Sequence, residues 1–400
     1  MFTSIIIAIA IGILFGIATG LTPGVHVNLV SLLLLTVSPF LLKFTSPIVL
    51  CCFIIAMAVT HTFLDTVPSI FLGASDSEKV VNILPGHRLL LEGKGFEAVK
   101  ITITGSLLAL ILAVILTPLM IPVSVWVDPY LKRFMGLLLI AITLFMILKD
   151  KKRLLNLLIF LISGVLGLFV LNMPSLKDPL FPLLSGLFGI SMLLMSISEK
   201  VSIPKQQFSD SISISKGETA KAVTAGTFAG MLTGFFPGVG PAQGAVLASQ
   251  LTRKISDYGF MMLVGGIGTV NFIFSLVTFY TIEKARNGAV IVVQELLQSC
   301  TAGTIAVFMC VALIAGGIGT ILTLRISKVF ASLVSKVNYS ILAGCVAVFV
   351  TILVFIFCGW LGILVLTVST AIGIIPALTG TARNHQMGCL ILPVILFFVL

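Results

Sequence analysis

Two Pro-Gly pairs stand inside apolar runs, Pro23-Gly24 and Pro237-Gly238. His26 and Asn28 follow the first, and Gly240 and Gln243 the second. Proline lacks an N–H and biases the residue before it away from helix, so a helix entering either pair must stop there. The half-helix beyond begins with unpaired N–H groups and a partial positive charge. Out of reach of water, two such ends can together hold an anion, and glycine at the break lets backbone approach it closely. Thr22, Pro23, Gly24, Val25, His26 and Asn28 form one candidate anion-binding stretch. Pro237, Gly238, Val239, Gly240 and Gln243 form the other. A further polar group is His61 with Asp65, spaced i,i+4 on one helical face within an apolar run. A carboxylate at membrane depth is costly and by default marks a functional site. A second reading places Asp65 near the membrane surface, capping a helix ahead of Pro68 with His61 as its hydrogen-bond partner. Both readings stay open. Asn271 takes a comparable polar position in the second half of the chain. His61, Asp65 and Asn271 are thus candidates for coupling to a cation, H+ or Na+. No pattern calls for a metal or an organic cofactor.

A duplicated stretch positions these residues. Gly12, Gly16, Gly20, Pro23, Gly24 and Val25 recur as Gly226, Gly230, Gly234, Pro237, Gly238 and Val239, at a constant offset of 214 residues. Paired interrupted segments in the two halves of a membrane protein are the best sequence pointer to a transporter binding site. The Gly-x3-Gly rows also fit plain helix packing, and the Pro-Gly pairs also fit a simple kink.

Composition sets the solvent. Of 400 residues, 58% are hydrophobic and 10% charged, with a mean hydropathy of +1.22. No soluble fold hides that much apolar surface, so the chain is an all-α polytopic integral protein of the cell membrane, with the lipid bilayer as its first partner. A soluble α/β enzyme is excluded. The net charge of +10 fits basic loops against anionic headgroups and gives no reason to expect nucleic acid. The N-terminus lacks a basic leader region and reads as mature protein. The seven cysteines lie in or beside apolar segments and read as small buried hydrophobes.

The layout predicts two repeats, 1–198 and 219–400, joined by a Ser/Lys/Gln-rich cytoplasmic linker at 199–218, with roughly 9–12 membrane segments in all. Each repeat opens with a broken re-entrant hairpin. Between the hairpins, spans are expected at 47–72, 98–123, 131–148, 154–171 and 180–197. An odd number of full spans makes the repeats inverted. With 149–153 inside, 18 of the 24 Lys and Arg lie in inner loops and 6 in outer ones, which puts the N-terminus outside. Later spans are expected at 259–281, 299–323, 339–357, 359–379 and 387–400, with a short interfacial helix at 291–298. Trp126, Tyr130, Tyr258, Tyr280, Tyr339 and Trp360 fall at span ends, as interfacial aromatics do.

The doubled Gly-x3-Gly-x3-Gly-x2-Pro-Gly stretch resembles the large membrane subunit of tripartite tricarboxylate transporters, the TctA family. A second stretch, Pro68-Ser-Ile-Phe-Leu-Gly73 with Leu84-Pro-Gly-His-Arg-Leu-Leu-Leu-Glu-Gly-Lys-Gly95 and Gly105-Ser106, is similar to that family's pattern after its first repeat. Recognisable motifs cover roughly 1–110 and 220–285. The resemblance implies an ion-coupled secondary carrier of di- or tricarboxylates, working with an extracytoplasmic binding protein and a small membrane subunit. A second copy of the chain, as a homodimer, is a further expected partner. The Pro-Gly hairpins also resemble polyprenyl-phosphate transporters, which makes an anionic lipid phosphate the alternative substrate. An intramembrane enzyme using His61 and Asp65 would need another catalytic group within about 3 Å. The sequence offers none. Gly265-Gly-Ile-Gly268 and Gly316-Gly-Ile-Gly319 lie inside apolar spans and read as packing surfaces, not dinucleotide loops.

Overall fold

A computed structural model describes residues 2–22, 27–72, 83–149, 151–176, 178–198, 203–208, 214–235, 240–241, 244–245, 248–249, 252, 255–334 and 339–399. Among these residues every regular element is helical and no strand occurs. The first half contains α1 (Phe2–Leu21), α2 (Val27–Leu41), α3 (Pro47–Leu64), α4 (Thr66–Phe71), α5 (Ile83–Leu91), α6 (Gly95–Lys149) and α7 (Arg153–Leu171). It closes with α8 (Leu180–Leu184), a wide turn at Ser185–Ile190 and α9 (Ser191–Ser198). The second half contains α10 (Lys216–Phe235), α11 (Asp257–Ile282), α12 (Gly288–Leu297), α13 (Ala302–Val334) and α14 (Tyr339–Thr379). A tight turn at Arg383–Met387 leads into α15 (Gly388–Val399). Seven helices are long and apolar enough to cross a membrane, and shorter apolar helices accompany them. The outer surface is apolar too: Phe2, Leu154 and Phe397 are each more than 70% exposed. Such a surface requires lipid. Trp126 and Trp360 are also among the most exposed residues.

One boundary differs from expectation. The spans predicted at 98–123 and 131–148 lie on one helix, because α6 runs through Trp126 and Tyr130 without a turn. Pro118, Pro122 and Pro129 each remove one N–H within it but leave the helix continuous. A reversal needs a residue free to leave the helical basin. Gly359 is one (φ 64, ψ −158), and it breaks α14 at the expected junction between 339–357 and 359–379. No glycine stands between Trp126 and Phe134. The turn expected between those two spans is therefore absent, and the direction of the second half is read from packing. Cysteine burial is also corrected in part: Cys310 and Cys345 are exposed, although all seven thiols are free. Both sit on membrane-spanning helices, where a small apolar side chain is at ease facing lipid.

Two hydrophobic cores form, and each draws on both sides of the linker. The first joins α1, α3, α4, α5 and the opening of α6 with α10 to α13. The second joins the end of α6, α7 and the 183–193 region with α14 and α15. In the first core α6 lies flush on α11. Gly105 faces the Met262 backbone, Gly265 faces the Thr102 backbone, and Ser106 Oγ donates to Gly265 O at 2.8 Å. Glycine is needed on both faces because a Cβ would enter the opposing backbone. The Gly265–Gly268 run is thus a packing surface, as its apolar context implied. The end of α4 meets the start of α6, where Phe71 lies 3.1 Å from the Cβ position of Gly95. The start of α6 meets the start of α11 through Tyr258 Oη donating to Glu97 at 3.4 Å. Near the start of α3, Cys51 Sγ lies 3.9 Å from Val293 O on α12.

The linker is docked where the structure describes it. Gln206, 4% exposed, accepts from Gly95 N at 2.8 Å and donates to Leu90 O at 3.1 Å, so it ties the α5–α6 turn. On α5, burial pushes the His87 imidazole down to about 4, and the Arg383 guanidinium pushes the same way. The neutral form is therefore the folded one. As pH falls below the ordinary value of 6.5 towards 4, the unfolded chain takes up a proton that the folded chain refuses, and stability drops by up to ~3 kcal/mol. Melting temperature should fall between pH 7 and pH 4.5, and His87→Gln should flatten that slope. An unchanged slope in the variant would refute this assignment.

Candidate functional site

The site grows from the seam between α1 and α3 and its copy between α10 and α11. A Cβ on Gly16 would lie 2.6 Å from Thr60 Cβ and 2.7 Å from Met57 O. On Gly230 it would lie 2.6 Å from Val270 Cβ and 2.8 Å from Ile267 O. Gly20 meets Leu64 Cβ and His61 O at 2.9 and 3.0 Å. Gly234 meets Phe274 Cβ and Asn271 O at 3.0 and 2.9 Å. The partners Met57, Thr60, His61 and Leu64 match Ile267, Val270, Asn271 and Phe274 at an offset of 210 residues. The duplication therefore extends through the following helix, and the glycine rows are packing surfaces.

Along each seam one polar pair is buried at the same place. Thr19 Oγ1 lies 3.1 Å from His61 Nδ1. In the copy, Asn271 Nδ2 donates to Thr233 Oγ1 at 3.1 Å. His61 is 3% exposed and Asn271 7%. The two seams meet through the hydroxyls of Thr62 and Thr269, 3.4 Å apart. Thr19 and Thr233 also donate to their own helices, to Phe15 O at 2.9 Å and Gly230 O at 3.1 Å, so each pair adds a contact between helices to a hydroxyl already bonded once. The same offset of 210 pairs Asp65 with Ser275. Asp65 is 4% exposed and precedes α4, yet its side chain does not cap that helix. Ser275 is fully buried, and its hydroxyl accepts from the backbone N–H groups of Arg286 and Asn287, each at 2.9 Å.

The residues after the breaks are placed unevenly. Pro23, Gly24, Val25, His26, Pro237, Gly238, Val239 and Gln243 lie outside the described residues. Thr22 spends its hydroxyl on its own helix, donating to Ala18 O at 2.8 Å. Asn28, exposed at the start of α2, has its side chain against Gly288 at the start of α12, where a Cβ would lie 2.6 Å from Asn28 Cγ. Gly240 O accepts from Gly244 N at 3.2 Å. Gly244 in turn lies against Thr233, with its Cβ position 2.5 Å from Thr233 Cγ2. Gly244 thereby sits beside the Thr233–Asn271 pair. Sequence reading missed Thr19 and Thr233, although each stands four residues before its proline in the repeat. It also missed Thr62, Thr269 and Ser275, which carried no local signal. Among the described residues no three His, Cys, Asp or Glu side chains are grouped to hold a metal ion.

A multi-pass helical membrane protein whose two halves share one packing seam and one buried polar pair belongs with the membrane transporters. The chain is a member of the tripartite tricarboxylate transporter TctA family, matching it over residues 6–388. It is also 29% identical over 400 residues to an uncharacterized protein of Methanocaldococcus jannaschii, MJ1079, with 97% of this chain and 98% of that one covered. No solved structure matches it. Family membership makes it a component of a transporter and implies partner subunits.

Proposed function

We propose that the chain is a secondary active carrier of an organic anion, a di- or tricarboxylate, working by alternating access. The anion lies between the half-helices that begin after Pro23-Gly24 and Pro237-Gly238. The observation that carries this reading is the paired placement of Thr19–His61 and Thr233–Asn271 beside the two breaks. Glycine rows alone would serve packing. A buried polar pair in both halves, at one register, favours a site. The halves 1–198 and 219–400 act as inverted repeats. Three contacts support opposite directions for α3 and α11: the end of α4 on the start of α6, the starts of α6 and α11 together, and the start of α3 against α12. His61 and Asp65, with Asn271 as the uncharged counterpart of His61, handle the coupling cation, H+ or Na+. The N-terminus lies outside the cell membrane and the 199–218 linker inside. The partners are a small membrane subunit and an extracytoplasmic binding protein, and the carrier works as a homodimer.

The test is a thermal-shift titration of purified protein with citrate, succinate, inorganic phosphate and a short polyprenyl phosphate. A ligand that binds only the folded protein raises its stability by ~2.7 kcal/mol at a hundred times its Kd. A melting-temperature rise with a tri- or dicarboxylate is expected. A response to the lipid phosphate alone would overturn the carboxylate reading.

A further inference from the structure

The loop between α11 and α12 is built more tightly than a connection needs. Glu283 takes a left-handed conformation (φ 53). Gln294 Oε1 accepts from Ala285 N at 3.1 Å, and Gln294 Nε2 donates to Glu283 O at 2.9 Å. Ser275 holds the next two N–H groups, and Asn287 Oδ1 caps α12 by accepting from Ala289 N at 3.0 Å. Ser275 stands one turn beyond Asn271 on α11, so the loop is drawn back towards the level of the Thr233–Asn271 pair. Just beyond the loop, Gly288 seats Asn28, which belongs to the first turn after the first break. The two cationic side chains on this loop differ. Lys284 Nζ is committed to Asp128 at 2.9 Å. Arg286 Nε is buried and, among the described residues, has no hydrogen-bond partner. Burial pushes the Arg286 guanidinium below its ordinary value, while Asp128 pushes it up, and arginine stays charged in proteins regardless.

We propose that Arg286 receives a carboxylate of the carried anion, a role that rests on the carrier reading above. A buried guanidinium N–H left without an acceptor is costly. Its planar fork fits a carboxylate through two parallel hydrogen bonds, which lysine cannot reproduce. The loop fixes the Arg286 backbone in advance, so only the side chain is left to order in the bound state. Asn28, two residues from Arg286 through its contact with Gly288, puts the start of α2 at the same place.

The experiment titrates full-length protein in lipid nanodiscs with citrate and, separately, inorganic phosphate, reading the thermal shift. Arg286→Gln should raise the half-saturating citrate concentration at least tenfold. Arg286→Lys should fall between that variant and wild type, and Lys284→Gln should stay within twofold of wild type. A wild-type citrate response in Arg286→Gln overturns the proposal, and is what an arginine facing lipid headgroups predicts. Equal loss in Lys284→Gln also overturns it, because the fold of the loop would then be what is measured. Should Arg286→Gln fail to fold, a wild-type response in Arg286→Lys overturns the fork. If wild type answers phosphate and not citrate, the carboxylate reading falls. The carboxylate role of Arg286 falls with it: loss of the phosphate response in Arg286→Gln would assign Arg286 a phosphate instead, and its retention would assign it no anion. A wild type that answers neither anion overturns both.

Discussion

Leucine at Gly16 or Gly230 is expected to prevent folding, whereas leucine at Gly24 or Gly238 is expected to leave a folded protein that does not transport. The first half of this expectation is steric. Cβ positions on Gly16 and Gly230 already lie 2.6 Å from a neighbouring side chain and 2.7–2.8 Å from a backbone oxygen. Those oxygens, on Met57 and Ile267, belong to helices buried on all sides and cannot give way. Overpacking a rigid core costs about 1–3 kcal/mol and more when backbone must move. The second half is functional. In the proposed carrier, leucine at Gly24 or Gly238 would cover the N–H groups that the anion needs. Uptake of labelled citrate into proteoliposomes should fall at least tenfold, the equivalent of ~1.4 kcal/mol. Size-exclusion profiles in detergent should separate the two classes: aggregated for Gly16→Leu and Gly230→Leu, monodisperse for Gly24→Leu and Gly238→Leu. Wild-type uptake by both break variants would remove the anion site from the breaks.

The membrane class and most helix positions were legible because lipid imposes one rule, a long apolar run, and glycine or proline marks its interruptions. The duplication was legible because six residues recur at a fixed offset. What failed was the boundary at Trp126–Tyr130. Proline there looks like a stop, but a helix surrounded by lipid and other helices can carry Pro118, Pro122 and Pro129 and continue. The partners of His61 and Asn271 were not legible either. Thr19 and Thr233 come from helices 42 and 38 residues away, and threonine in an apolar helix usually bonds its own backbone. Arg286 carried no signal, since a loop arginine reads as a surface charge until its hydrogen bonds are seen.

The matched seams give a substitution with a built-in control. His61→Asn makes the Thr19 pair a copy of the Thr233–Asn271 pair, whose geometry at 3.1 Å asparagine already satisfies. The variant should therefore fold, melt within a few degrees of wild type and still bind citrate. It replaces the imidazole, the one side chain by which the two halves differ at this place, with an amide that has no ionisable group. Coupling through His61 predicts that citrate accumulation driven by an imposed pH gradient is abolished, while exchange of internal for external citrate without a gradient persists. His61→Ala empties the space beside Thr19, which keeps its bond to Phe15 O at 2.9 Å, and should also be less stable by about 0.5–3 kcal/mol through lost packing. That stability difference separates a structural defect from a coupling defect. If His61→Asn still accumulates citrate under the pH gradient, the proton does not pass through this residue. Asp65, at the position where the other half has Ser275, then becomes the group to replace, with Asp65→Ser as the substitution its own repeat supplies.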